Sequence, residues 1–175
     1  MSRVRRNPDA LRAIGWGGLI GGVLDISDAL LFYGVRGVSP QRLLQGIAGG
    51  LLGTRAMQGG WATATLGLAL HFLIAFTAAA VYYAASRNMR MLRERPIVSG
   101  LLYGIAVFFF MNMIVLPLSA IHRSPTAMLR LDIASANAVL ALMLFIGLPI
   151  AISVHRYARH CDSRTAVPNL PASGS

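Results

Sequence analysis

Four long apolar stretches, Ala13–Gly34, Trp61–Ala85, Ile97–Leu118 and Leu131–Val154, limit what this chain can fold into. Each runs for about 22–25 residues, enough at 1.5 Å per residue to cross a hydrocarbon core about 30 Å thick. In lipid a segment must satisfy its own backbone N–H and C=O groups, so these stretches are helices. A β-barrel would need strict alternation in runs of roughly ten residues, and none occurs. Nor can they be core helices of a water-soluble domain. Only 13% of the 175 residues are charged against 55% hydrophobic, too few polar side chains to cover four such helices. The expected fold is all-α: an integral membrane bundle of four transmembrane helices over residues 1–161. A disordered tail is expected over 162–175, rich in Pro, Ser and Ala without periodicity.

The charge of +10 comes from sixteen Arg and no Lys, and its distribution matters more than its size. Eleven Arg fall before the first stretch, between the second and third, or after the fourth; Arg36, Arg42, Arg55, Arg123 and Arg130 fall on the other side. By the positive-inside rule both termini are expected in the cytoplasm. The charge is therefore an orientation signal, and no nucleic-acid partner is expected. Anionic lipid at the cytoplasmic face is a partner that the same arginines would suit. Trp16, Tyr82, Tyr83 and Tyr157 near the inner boundary, with Tyr33 and Trp61 near the outer one, fit an interfacial aromatic belt. Met1–Leu24 has the basic start and apolar run of a signal peptide. Asp25-Ile26-Ser27-Asp28 follows in place of an A-x-A-like site, so the first helix is expected to stay uncleaved.

Between the first two spans, Ser39 can cap a helix and Pro40 suits its first position. Leu43, Leu44, Ile47, Ala48, Leu51 and Leu52 then form one apolar face, with Gln41, Arg42, Gln45, Thr54 and Arg55 around it. This short outer helix is either interfacial and amphipathic, the simpler reading, or re-entrant, which Gly46, Gly49, Gly50 and Gly53 would permit. The basic link Ser86–Pro96 is short enough to make spans two and three antiparallel neighbours. Ser124-Pro125 repeats the chemistry of Ser39-Pro40.

The most informative residues are polar ones inside the spans, because an ionisable group in lipid normally faces the bundle and is paired. Counting at 1.5 Å per residue, Asp25 and His71 lie roughly 13–15 Å inside the outer boundary; Asp28, Asn112 and Asn137 lie about 9 Å inside. Gly18, Gly21, Asp25 and Asp28 follow 3-4-3 spacing and share a face. Gly67 with His71, and Gly100 and Gly104 with Asn112, make similar stripes on the second and third spans. Pro117 frees the carbonyl of Met113 and should widen the end of the third helix. Three readings remain for this cluster: interhelical bonds that fix packing; an ion, proton or solute site in which His71 and Asp25 exchange a proton; and, as the remote one, intramembrane catalysis. A conduit through so narrow a bundle would need a homodimer. Asp132 reads instead as a helix cap or a partner of Arg130.

Catalytic signatures are missing. There is no HExxH, no G-x-S-x-G and no Walker A sequence, and the glycines of Gly15–Gly21 follow no strand. His155 and His160 are poorly spaced as metal ligands and read as solvated residues at a helix end, and Cys161 as an incidental thiol. No catalytic residue, metal or cofactor is expected, nor an enzyme.

One stretch carries a family likeness. Leu70-His71-Phe72-Leu73-Ile74-Ala75-Phe76 through Tyr82-Tyr83, a basic link, then Ser99-Gly100-Leu101 onward to Leu116-Pro117-Leu118 and Ser124-Pro125 resembles the YagU-like bacterial inner-membrane proteins. These are small multi-spanning proteins of unknown biochemical function, loosely associated with acid resistance. The likeness covers mainly Leu66–Pro125, with His71 and Pro117 as the matching positions. It implies a bacterial inner membrane.

Overall fold

The computed structural model describes residues 8–120 and 132–165, with side chains for 9–120 and 132–157. Ser124-Pro125, Arg130, the side chains of His160 and Cys161, and residues 166–175 lie outside this description. The protein is helical, with no strand among the described residues. Helix α1 covers Pro8–Gly34, α2 Pro40–Leu52 and α3 Gly60–Asn88; a short α4, Arg90–Glu94, turns the chain into α5, Pro96–Phe110. The third span continues beyond α5 to Leu118, and the fourth consists of α6, Ile133–Ala141, and α7, Leu148–Thr165. Four of these segments, Asp9–Gly34, Gly60–Asn88, Pro96–Leu118 and Ile133–Tyr157, are long and apolar enough to cross a membrane. α7 runs to Thr165, beyond the expected start of a tail at Asp162.

Caps follow the local chemistry. Ser39 Oγ accepts from the Arg42 N–H at 3.3 Å with Pro40 opening α2, and Asp132 Oδ1 accepts from the Ser135 N–H at 2.7 Å to open α6. The third and fourth spans each contain a π-helical turn, Met111–Val115 and Leu142–Gly147, each followed at once by Leu-Pro. A proline has no N–H for the carbonyl four residues back and its ring collides with that carbonyl. The wider turn accommodates this, as the Leu116 N–H bonds Met111 O and the Leu148 N–H bonds Met143 O. Pro117 therefore widens its helix as its position predicts, and Pro149 does the same.

Helix α1 lies between α3 and the fourth span. Its first turns meet α7, where Ser153 Oγ donates to Ala13 O at 2.9 Å, so α1 begins at the end of the bundle where α7 emerges. Arg12, Arg87, Arg90, Arg93, Arg95 and Arg156 gather at this Arg-rich end; α2 caps the other. The third span packs mainly on the fourth and reaches α3 through tyrosines. Tyr103 donates to Ala78 O at 2.7 Å, and Tyr82 lies 2.8 Å from Ser99 Oγ and donates to Leu92 O at 3.0 Å. Tyr82 is thus a fully buried core residue and not part of an aromatic belt, because its ring packs on Tyr103 and its hydroxyl is satisfied inside. Trp16 and Trp61 are exposed near the span ends, as a belt requires.

Glycine sets how closely the spans approach. A Cβ on Gly100 would sit 2.8 Å from Gly147 O, one on Gly104 2.4 Å from the Met143 Cα, and one on Gly147 only 2.0 Å from Gly100 O. The third and fourth spans therefore meet backbone to backbone, the close approach that small residues permit.

Candidate functional site

Helix α1 carries two Gly-Gly pairs one turn apart, Gly17-Gly18 and Gly21-Gly22, and they serve two neighbours. Cβ atoms on Gly18 and Gly22 would strike the rings of Phe76 and Phe72 on α3, at 2.5 and 2.9 Å. On Gly17 and Gly21 they would press on Ile150 and on Phe145 O of the fourth span, at 3.2 and 3.1 Å. Residues three apart lie about 60° apart around a helix, so one buried sector has two edges. Asp25 continues the Gly18–Gly22 edge and Asp28 the Gly17–Gly21 edge. The single face expected for Gly18, Gly21, Asp25 and Asp28 is in fact divided between two partners.

Each edge ends in a polar contact. Close approach at Gly22 lets His71 Nε2 reach the Gly22 carbonyl at 2.8 Å. A carbonyl only accepts, so Nε2 carries the proton. On the other edge, Asn137 Nδ2 donates to Asp28 Oδ2 at 2.9 Å. The half-buried Asp25 carboxylate lies in the electrostatic field of both His71 and Asp28, and among the described residues no group hydrogen-bonds it. Four of the five expected polar residues are therefore brought together around α1.

Asn112 is not. Its side chain donates to Phe108 O, one turn back on its own helix, at 2.8 Å. It lies in the π turn and finds an acceptor locally, so it contributes nothing across the bundle. Gly67, placed by its spacing with His71, packs on the short outer helix and not on a span: its Cβ would lie 1.9 Å from Leu44 O.

Several contributors escaped the sequence reading. Gln45, expected on the polar flank of α2, is buried and donates to Gly60 O at 3.0 Å and to Thr63 Oγ1 at 3.3 Å, tying α2 to the first turn of α3. His155, expected in solvent, is half-buried with Nδ1 bonded to Arg93 O of α4. Gly17, Gly22 and Gly147 were marked only by the doubled glycines and by Gly-Leu-Pro. Among the described residues no group of three His, Cys, Asp or Glu is arranged to hold a metal.

At the α2 end, an apolar groove of about 790 Å³ is lined by α2, α3 and the third span. Leu70 and Ile74 of α3 face Ile114 and Val115 of the third span across it, and Tyr33 and Arg42 are part of its lining. Protein-family models, curated proteins and solved structures were compared with the chain, and none matches it.

Proposed function

We propose that this is a multi-pass protein of the bacterial inner membrane, with both termini cytoplasmic, whose role is structural or accessory and not enzymatic. Kinship with the YagU-like proteins, on Leu66–Pro125, is part of the same proposal. The supporting observation is how the intramembrane polar groups are used. His71 and Asn137 spend their donors on Gly22 O and Asp28, which joins α1 to its two neighbours and fixes their register. A second reading is a small oligomeric conduit for protons or solutes. It is favoured by one observation, the Asp25 carboxylate near two ionisable groups, His71 and Asp28, with no hydrogen bond among the described residues.

One set of variants separates the two. Asp25→Asn and His71→Ala are reconstituted in vesicles containing a pH-sensitive dye and also unfolded in mixed micelles. The structural role expects no proton flux through the wild type and a less stable His71→Ala protein. Flux through the wild type that either substitution abolishes, in a folded protein, would establish the conduit instead. The topology is read separately from a C-terminal reporter active only in the periplasm, which should stay silent.

A further inference from the structure

The groove beside α2 has a chemical polarity of its own. Its walls are Leu70, Ile74, Ile114 and Val115, and Ile74 is the midpoint of the 29-residue α3, so the groove runs from the α2 end to the middle of the span. Ile74 and Ile114 are substantially exposed, which opens it sideways to the surface that faces lipid. Arg42 lines it two residues after the start of α2, at the end of the bundle. The arginines nearby differ in how they are engaged. Arg36 stacks on the Phe32 ring at 3.6 Å and donates to Phe32 O at 2.7 Å, whereas the Arg42 guanidinium has no partner among the described residues. Tyr33, half-buried, adds a phenolic hydroxyl to the same lining.

An apolar slot half a span deep with an unengaged cation on its lining matches an amphiphile with a negatively charged head. Its volume falls in the range of about 300–1,000 Å³ usual for small-molecule sites. We infer that the groove binds one anionic phospholipid of the leaflet on the α2 side, an acyl chain lying between α3 and the third span and the phosphate on Arg42. This site is at the opposite end from the Arg-rich face and does not depend on the role of Asp25 and His71. The guanidinium selects the headgroup, since each basic side chain near a membrane surface favours anionic lipid. The chain adds affinity without selectivity, because lipid of any headgroup offers it.

Two kinds of substitution test the two halves separately. Arg42 is exposed, so Arg42→Gln alters only the headgroup contact. Gly46 lines the groove and a Cβ there meets nothing within 4 Å, so Gly46→Ala adds no clash, and Gly46→Leu and Gly46→Phe build on that open position to fill the groove in steps. The full-length protein is incubated with phosphatidylglycerol or phosphatidylcholine of matched chains, and retained lipid is counted by native mass spectrometry, with a thermal melt on every variant. We expect the wild type to keep one phosphatidylglycerol about fivefold more strongly than phosphatidylcholine. Arg42→Gln should bring that ratio close to one with phosphatidylcholine retention unchanged, and the Gly46 series should lose both lipids in order of size. A ratio unaffected by Arg42→Gln overturns the headgroup assignment, and retention unaffected by Gly46→Phe overturns the groove itself. A wild-type dimer that Gly46→Phe converts to monomer would make a second copy of the chain the occupant and also overturn it.

Discussion

Asn137 donates its side-chain amide to the Asp28 carboxylate across 2.9 Å and across 109 residues of chain, the one hydrogen bond between side chains that joins the first span to the fourth among the described residues. Such contacts between membrane helices average about 0.6 kcal/mol and reach about 1.7. Asn137→Ala and Asp28→Ala should each lower unfolding free energy in mixed micelles. The double-mutant cycle should show a coupling of about 0.6 kcal/mol. A coupling of zero would leave packing at Gly17 and Gly21 and the hydrogen bond from Ser153 to Ala13 O to hold these helices together.

The glycine contacts predict a contrast between sites of identical chemistry. Gly147→Ala puts a methyl 2.0 Å from Gly100 O and forces the third and fourth spans apart, at a cost of about 1–3 kcal/mol. Gly15→Ala meets nothing within 4 Å and should be neutral, or stabilising by up to about 1 kcal/mol through helix propensity. Thermal melts in one detergent are enough to rank them.

At the start of α6, the Ser135 N–H holds the Asp132 carboxyl below the usual carboxylate range. A carboxylate with a lowered folded value contributes stability above its unfolded value and loses it as pH falls through the folded one. Hydrogen exchange at the Ser135 amide should therefore lose protection only at strongly acid pH. Asp132→Ala should lose it at every pH. Asp132→Asn, which still caps, should keep protection with no such pH dependence.

Pro117→Ala restores the N–H that the Met113 carbonyl lacks. The Met111–Val115 turn should then tighten to the ordinary α pattern, seen as new exchange protection at residue 117. An unchanged π turn would show that packing, not the proline, widens it.

The spans, the split of the described arginines between two ends and both caps were legible in the sequence because each is a local property. Length, charge and an oxygen two or three residues before an N–H survive without knowledge of neighbours. Partner choice did not survive. Gly18 and Gly21 differ by only about 60° around α1, and nothing local assigns one to α3 and the other to the fourth span. Gln45 and Tyr82 read as surface residues because their acceptors, Gly60 O and Leu92 O, are backbone groups that carry no sequence signature. Asn112 has the right depth for the cluster, but a carbonyl on its own helix was nearer.

The π turn in the fourth span acts as a one-residue insertion. Asn137, Ala141, Ile146, Ile150 and Val154 follow one another down the inward side at steps of four, five, four and four, and the step of five falls on Leu142–Gly147. In an unbroken α-helix that step would turn Ile146 about 140° away from Ala141; the extra residue taken up by the wide turn removes about 100° of it. The seam is therefore continuous in space although its spacing in the sequence is not. A single-residue deletion inside Leu142–Gly147 combined with loss of Pro149 should be tolerated, because it exchanges the wide turn for an ordinary one. The same deletion made between Asn137 and Ala141 would swing Asn137 away from Asp28.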